Sequence, residues 1–206
     1  MCGRYALFRW PPALAALPGF PADQQPHWSI APHSQVLILR GTEGTRAAAR
    51  ARWGLTPPWL TDLSRTPAHA RAETLVDQPM FRDAFRLRRC LLPANGFYEW
   101  RGTARKRPYW LTAGDGAPLY FAGIWEDYPV QEQHYLSVAI VTQAISGQRR
   151  PLMLDAAGQA AWLDAATGQA DLLTLLAQPP VALRERVLAG LINDPTLDGP
   201  ECLTPA

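Results

Sequence analysis

The sequence contains only three cysteines, Cys2, Cys90 and Cys202, and a single lysine, Lys106. An odd number of widely spaced cysteines argues against a disulfide framework and fits a reducing compartment. The four histidines and three cysteines also lack the short, regular spacings that are typical of metal ligands. We therefore expect no metal site, and nothing in the sequence indicates an organic cofactor.

Long apolar runs are missing as well. No stretch approaches the roughly 20 residues that span a bilayer, and no basic region followed by an apolar run stands at the N-terminus. We expect a soluble, cytoplasmic monomer without membrane contact. The 206 residues, 48% of them apolar, suffice for one core but not for two ordinary domains, which predicts a single domain over residues 1–206.

The charge composition leaves nucleic-acid binding open. A formal net charge of +2 does not itself indicate a nucleic-acid partner, but nearly all the positive charge is arginine. Arginine holds phosphate groups in a bidentate fork and stacks on bases. A chain rich in Ala, Leu, Pro and Arg from a GC-rich genome would show the same bias. Eight tryptophans offer platforms for unpaired bases, although most tryptophans in a compact domain lie in the core.

The pattern of short apolar segments predicts an α+β fold. Val36–Arg40 and Arg46–Trp53 read as a hairpin, and five further strands follow from Cys90 onward, separated by Gly, Pro or charged residues. Such spacing is typical of a mostly antiparallel, β-barrel-like core, here flanked by short helices. The predicted later strands are 90–92, 97–100, 109–112, 119–122 and 135–142, with a last strand at 181–187; the predicted helices are 11–17, 79–85, 155–163 and 171–176.

Cys2 offers the most distinctive chemistry. Removal of the initiator methionine would leave a free α-amine and a thiol on one residue, which is a 1,2-aminothiol. The amine can condense with an aldehyde to an imine, and the thiol can then close a five-membered thiazolidine ring. Both groups have reference pKa values within about 1.5 units of neutral, and tethering makes the second attack unimolecular. A cysteine near a terminus can equally be a small buried hydrophobe.

Glu99 is the candidate acid and base. It lies within Gly-Phe-Tyr-Glu-Trp, in a predicted strand and between aromatic residues, where desolvation would raise its pKa and suit it to proton transfer near neutral pH. The alternative is that Glu99 faces water or pairs with an arginine.

Two further segments carry candidate binding residues. His69, Arg71 and Glu73 alternate along a short segment after a proline-containing loop, so one side of that segment would present an imidazole, a guanidinium and a carboxylate. Arg149 and Arg150 precede a proline and are candidates for phosphate contacts, although solvated loop arginines are common.

A series of motifs runs in order along the whole chain. They are Met1-Cys-Gly-Arg4, Ile30-Ala-Pro32, Arg52-Trp-Gly-Leu-Thr-Pro-Pro-Trp59, Ala70-Arg-Ala-Glu-Thr74, Arg89-Cys-Leu-Leu-Pro-Ala-Asn-Gly-Phe-Tyr-Glu-Trp100, Phe121-Ala-Gly-Ile-Trp-Glu126 and Arg149-Arg-Pro-Leu-Met-Leu154. Together they resemble the SRAP family, the SOS response-associated peptidases or abasic site processing proteins. The joint occurrence of the first motif with Gly-Phe-Tyr-Glu-Trp is highly specific.

The resemblance implies a DNA damage response protein that binds single-stranded DNA containing abasic sites. Cys2 would form a covalent thiazolidine with the aldehyde of the ring-opened sugar, and Glu99 would assist proton transfer and ring opening. The peptidase part of the family name refers to proposed autoproteolysis that exposes Cys2, and a lyase-type activity is also implied. The DNA-binding residues would be Arg4, Arg71, Arg149 and Arg150 at phosphates, with Pro32 and Trp59 where bases stack.

Two departures from the family pattern concern the active site. His69 stands where the family usually has asparagine, and Ser146-Gly147-Gln148 stand where an active-site histidine usually precedes Arg149. We hypothesise that His69 supplies part of the missing proton transfer, since a neutral histidine can donate or accept a proton near pH 7. The alternative is a diverged protein that crosslinks slowly or does not reverse the crosslink.

Three classes of function therefore remain. The first is covalent capture of abasic sites, which requires Cys2 at the mature N-terminus. The second is a Cys2-dependent hydrolase or autopeptidase, which requires a base and an oxyanion hole. The third is a non-crosslinking single-strand-binding module, which would tolerate replacement of Cys2.

Overall fold

Strands dominate the computed structural model, which describes residues 3–42, 44–145 and 147–206. The strands are β1 (Tyr5–Leu7), β2 (His27–Ile30), β3 (Gln35–Thr42), β4 (Thr45–Trp53), β5 (His69–Arg71), β6 (Arg89–Ala94), β7 (Gly96–Arg101), β8 (Arg107–Ala113), β9 (Leu119–Val130), β10 (Gln133–Ile145), β11 (Gln148–Pro151) and β12 (Leu183–Val187). The helices are α1 (Pro12–Ala15), α2 (Arg82–Leu87), α3 (Ala156–Leu163) and α4 (Gln169–Leu176), with 3-10 turns at Gly190–Asn193 and Pro200–Leu203.

Five of these strands close into a barrel. Its order is β10, β4, β3, β6 and β9, and β9 pairs again with β10. Four of the five pairings are antiparallel. The fifth is the short parallel contact of β10 with β4, at Ser137 opposite Arg52 and Val138 opposite Trp53. The predicted α+β fold with a mostly antiparallel β-barrel-like core is confirmed.

A second, antiparallel sheet lies beside the barrel. Its order is β12, β8, β7, β1 and β2. Phe97 of β7 and Tyr5 of β1 belong to the main core, whereas Tyr98 joins a smaller apolar cluster with Trp110 and Ile192. Strand alternation explains this division, because neighbouring residues of β7 point to opposite faces of the sheet. β7 thus links the two apolar clusters, and Glu99 follows on the Phe97 side.

The helices are short and pack on the barrel through specific polar contacts. The Asp155 side chain caps α3 by accepting a hydrogen bond from the Gly158 N–H at 2.8 Å. Trp162 of α3 is fully buried, and its indole N–H donates to the carbonyls of Cys90 and Gly123. Within the described ranges, no helix is long and apolar enough to cross a bilayer.

The predicted elements occur near their expected positions, with shifted ends. Helix α1 is shorter than the predicted 11–17, and α2 begins three residues later than the predicted helix at 79. Four strands were not predicted: β1, β2, β5 and β11. Each has three or four residues, which is too short to show the alternation on which a strand prediction rests. Three of the four carry or adjoin candidate site residues.

Candidate functional site

The segment that leads to Cys2 runs along the strand that carries Glu99. Met1 and Cys2 lie outside the described residues, so the chain is followed from Gly3. Tyr5 pairs with Phe97 in an antiparallel register, and the Tyr98 N–H donates to the Arg4 carbonyl at 3.0 Å. Because β1 and β7 run in opposite directions, the chain that precedes Tyr5 heads toward the Glu99 end of β7.

Glu99 belongs to a cluster of four charged side chains, the charged cluster, formed by Glu99, Arg101, Arg150 and Glu185. The Glu99 side chain is only 6% exposed, and its Oε2 accepts hydrogen bonds from the Arg101 Nε and Nη2 at 2.9 and 2.5 Å. Its Oε1 accepts from the Arg150 Nε at 2.8 Å. Two guanidinium groups therefore hold this buried carboxylate in a defined orientation.

This arrangement corrects the environment expected for Glu99. The sequence places aromatic residues on both sides of it, but Tyr98 and Trp100 belong to the apolar cluster on the opposite face of β7. They do not surround the carboxylate, because adjacent strand residues alternate between faces. Of the two interpretations given for Glu99, pairing with arginine is the one observed.

Glu185 completes the charged cluster from β12. Its carboxylate accepts from the Arg101 Nη1 and Nη2 at 2.6 and 2.8 Å, and from the Arg150 Nη2 at 3.1 Å. The hydrogen bonds from Arg101 hold the pKa of Glu185 below its usual range against the effect of burial. The same bonds to Glu185, followed by those to Glu99, raise the pKa of Arg101. Arg101 also lies 4.8 Å from the centre of the Tyr109 ring.

Arg149 forms a second pair, with Glu73. Its Nη2 donates to the Glu73 Oε2 at 2.7 Å and to the Thr142 carbonyl at 2.8 Å. Glu73 also accepts a hydrogen bond from the Ala144 N–H at 3.0 Å. Desolvation acts to raise the pKa of Glu73, but the bonds from Arg149 and backbone N–H groups outweigh it, and the pKa lies below its ordinary value. The two segments are brought together by β10, which pairs with both β5 and β11.

His69 and Arg71 line one small cavity of about 300 Å³ together with Thr74, Gln78 and Phe81. The His69 ring lies edge-on to Trp53, with ring centres 5.6 Å apart. Arg71 is exposed, and its guanidinium has no hydrogen-bond or ion-pair partner in the described part of the chain.

Arg4 is half-buried and fixed at two points. Its Nη1 donates to the Ile192 carbonyl at 2.6 Å, and its guanidinium lies 5.6 Å from the centre of the Trp100 ring. Trp100 follows Glu99 directly in β7, so Arg4 contacts the neighbour of Glu99 but lies on the opposite face of the sheet from the charged cluster. The β1–β7 pairing accounts for this position.

Pro32 and Trp59 occupy loops at another part of the barrel. Pro32 is half-buried in the turn before β3, and Trp59 is 57% exposed. The loop that carries Trp59 also lines a cavity of about 640 Å³, together with Arg52, Tyr128 and Tyr135. This cavity lies beside residues 134–137 of β10, toward the opposite end of that strand from Thr142 and Arg149.

Of the residues in these clusters, Glu185 was not predicted. Glu73 was named as part of the segment with His69 and Arg71, and Arg101 begins a basic cluster, 101–107, that the sequence offers as a candidate for contacts to the DNA backbone. Arg101 carried a usable signal, because it stands two positions after Glu99 and strand alternation puts both on one face. Glu185 carried none, since its place depends on the pairing of β12 with β8. In the described ranges, no three His, Cys, Asp or Glu side chains are grouped so as to hold a metal ion. Cys90 and Cys202 are buried free thiols.

Comparison with known proteins yields one consistent family. The family model of SOS response associated peptidase (SRAP) matches residues 1–194. The chain is 28% identical, over an alignment 223 positions long, to the abasic site processing protein YoqW of Bacillus subtilis, covering 98% of this chain and 99% of that protein. It is 26% identical to the abasic site processing protein YedK of Escherichia coli, with 79% of each covered. A crystal structure of a protein from Bacteroides thetaiotaomicron has the same fold, with a TM-score of 0.86 at 20% identity and full coverage of both chains.

Proposed function

Because the chain belongs to the SRAP family, we propose that it binds single-stranded DNA and captures abasic sites covalently through Cys2. The relatives YoqW and YedK are named abasic site processing proteins. We further propose that residues 1–206 form one domain that acts in the cytoplasm, where free thiols such as Cys90 and Cys202 persist.

The reaction begins with the sugar of the abasic site. The C1 hydroxyl loses its proton, the bond from C1 to the ring oxygen breaks, and the ring oxygen takes up a proton, which leaves an open-chain aldehyde. After loss of Met1, the α-amine of Cys2 condenses with this aldehyde, releasing water and forming an imine. The Cys2 thiol then adds to the imine carbon, and its proton passes to nitrogen, which closes the thiazolidine ring.

The course of the chain before β1 is the observation that carries this proposal. The register of Tyr5 against Phe97 directs the N-terminal segment toward Glu99. Glu99 is buried and held in place by two arginines, so its carboxylate is oriented before DNA binds. In the proposed mechanism it accepts the proton of the C1 hydroxyl and returns a proton to the departing ring oxygen.

His69 has the second proposed role in proton transfer. The edge-on packing against Trp53 restricts the imidazole ring, and Arg71 lies in the same cavity. An imidazole there can relay a proton at neutral pH, which the asparagine usual at this position in the family cannot do. This role is separate from that of Glu99, whose side-chain hydrogen-bond partners come from β7 and β11.

The DNA strand would be held by phosphate contacts and base stacking. The Arg71 guanidinium, which has no partner among the described residues, is available for a phosphate. Arg4, Arg149 and Arg150 would add further contacts after exchange of their present partners. The exposed Trp59 ring offers a stacking surface, with Pro32 as a second apolar contact.

The decisive experiment incubates the purified protein with single-stranded DNA that carries one abasic site. We expect a heat-stable adduct of one protein and one DNA strand, with a mass that corresponds to loss of one water. Cys2→Ala should abolish the adduct, because residue 2 then keeps its α-amine but lacks the thiol that closes the thiazolidine ring. Glu99→Gln should slow its formation by about 100-fold or more, which is the lower end of the range for loss of a positioned acid and base.

Intact mass provides the control for this experiment, since a retained Met1 would block the amine. If Met1 is absent and no adduct forms, covalent capture is wrong, and a binding module or a hydrolase remains. His69→Asn and His69→Ala test the imidazole separately. Unchanged rates of adduct formation and reversal in both variants would remove His69 from the mechanism.

A further inference from the structure

The charged cluster holds two arginines and two glutamates that differ in exposure. Glu99 is 6% exposed and Arg150 is 16% exposed, whereas the Glu185 side chain is 37% exposed. Arg101 lies between them at 22%. Glu185 is therefore the member on the solvent side, and it covers the outer N–H groups of both guanidinium groups.

The contacts of Glu185 have the form that a phosphate group would have. Both of its oxygens accept from the two terminal nitrogens of Arg101, and one of them also accepts from Arg150. Such a planar fork matches the two non-bridging oxygens of a phosphodiester as well as it matches a carboxylate. The charges match too, because a phosphodiester and an ionised glutamate each carry a single negative charge.

We propose that Arg101 and Arg150 form a binding subsite for a phosphate group, and that Glu185 occupies this subsite while no DNA is bound. The inference deepens the proposed function, because it identifies the contact for a backbone phosphate beside Glu99. When Glu185 leaves, Glu99 and the two arginines together carry a net charge of +1, which one phosphodiester neutralises.

The two arginines remain in place without Glu185. Each keeps a hydrogen bond to Glu99, at 2.9 Å from the Arg101 Nε and 2.8 Å from the Arg150 Nε. Arg101 in addition packs over the ring of Tyr109. The Nη2 of each arginine also donates to the Glu99 Oε2, which leaves its second N–H, together with the Arg101 Nη1, directed at the position that Glu185 holds.

Glu185 can leave because of its place in the sheet. β12 is the edge strand of the five-stranded sheet and pairs only with β8 among the described strands. The half-exposed side chain can turn into solvent by changing rotamer, without a change in the β12–β8 pairing. A partly exposed carboxylate–arginine contact contributes little net free energy, because water solvates both charges when they separate.

The test compares Glu185→Gln with the wild-type protein in binding an undamaged oligothymidylate and inorganic phosphate. Glu132→Gln is the matched control, since Glu132 is exposed in the turn between β9 and β10 and its replacement changes the net charge equally. We expect Glu185→Gln to bind the oligonucleotide about threefold or more tightly, and Glu132→Gln to bind as the wild type does. Adding Arg101→Gln to Glu185→Gln should remove the gain.

Each outcome decides the matter. Tighter binding of both probes supports a subsite for DNA phosphates, and tighter binding of inorganic phosphate alone identifies free phosphate as the ligand. Binding that is unchanged or weaker in Glu185→Gln overturns the proposal and leaves Glu185 as a support for the two arginines. Undamaged DNA cannot react with Cys2, so this binding test does not depend on covalent capture. If Glu185→Gln binds undamaged DNA more tightly but the protein forms no adduct with abasic-site DNA, covalent capture is wrong and the phosphate subsite stands.

Discussion

Glu99 and Glu73 show the same behaviour at the scale of single residues. Each carboxylate binds an arginine that was predicted from the sequence to contact DNA phosphates: Glu99 binds Arg150, and Glu73 binds Arg149. Under the proposed function, a DNA phosphate would compete with Glu73 for Arg149 and with Glu185 for the outer N–H groups of Arg150. Arg71, which has no such partner among the described residues, meets no competition, and we expect it to contribute more to affinity than its neighbours do.

Glu73 makes the free energy of unfolding depend on pH in the acid range. Its pKa in the folded protein is lowered, so its contribution is complete above the unfolded value of about 4.3 and is lost as pH falls through the lower folded value. We expect Glu73→Gln to lower the thermal midpoint at pH 7 by an amount that corresponds to at most about 1 kcal/mol, since the pair is half-exposed. Thermal unfolding of both proteins between pH 7 and 3 measures this difference. A difference that persists at pH 3 would contradict the pairing with Arg149.

The chemical role of a residue could be predicted from the sequence better than its hydrogen-bond and ion-pair partners. Glu99 was identified from its motif, and strand alternation places Arg101, two positions later, on the same face of β7. Glu185 was not, because 86 residues of chain separate it from Glu99 and only the folded sheet joins them. Arg89 is a second example. Nothing in its sequence surroundings distinguishes an arginine that holds the fold together from one that binds a phosphate.

At the scale of elements, the pairing of β7 with its neighbours depends on Gly96. A Cβ added there would stand 2.5 Å from the Leu111 carbonyl oxygen and 2.5 Å from the Trp110 ring. We expect Gly96→Ala to destabilise the protein by about 1–3 kcal/mol and to lower the thermal midpoint by several degrees, because β8 would have to move. Gly114→Ala is the control, as the nearest atom to an added Cβ there is 3.8 Å away. Equal midpoints for the two variants would show that β8 shifts without cost.

Long elements were predicted and short ones were missed. β9 and β10, with 12 and 13 residues, were recognised in part from their apolar alternation, although both extend beyond the predicted bounds. β5 and β11, with three and four residues, exist because β10 provides an adjacent edge for each. Their formation depends on a long-range partner, which local sequence patterns do not reveal. These two strands carry His69, Arg71, Arg149 and Arg150.

At the scale of the whole molecule, Arg89 joins two helices to the barrel. It is 7% exposed, and its guanidinium donates to the carbonyls of Trp162 and Asp164 at the end of α3 and of Phe85 and Arg86 in α2. We expect Arg89→Met to cost about 3 kcal/mol or more, since four carbonyls lose their donor, and to lower the thermal midpoint by roughly 6 °C or more.

Arg86→Met controls for this prediction, because Arg86 lies in α2 with an exposed side chain. Calorimetry of the two variants and the wild type gives the comparison. If Arg89→Met unfolds at the wild-type temperature, water replaces the guanidinium at the helix ends, and the helices are held by their apolar contacts alone.

The pairing that closes the barrel is a feature that no local pattern indicates. The hairpin of β3 and β4 was predicted from its turn, but the parallel contact of β4 with β10 joins residues 52–53 to residues 137–138. Alternation and turn signals describe neighbours in sequence, whereas this pairing depends on the curvature of the complete sheet. The sequence was thus sufficient for the fold class and insufficient for the topology.

The pairing of β1 with β7 also determines an order of events during synthesis. Tyr5 leaves the ribosome about 90 residues before Phe97, the residue it pairs with, and at ordinary translation rates this interval lasts roughly 5–20 s. β2 emerges earlier, but a two-stranded sheet is only marginally stable by itself. An aminopeptidase that removes Met1 would therefore act on a nascent chain end before β7 exists, and under the proposed function the aminothiol would be ready before β1 pairs with β7.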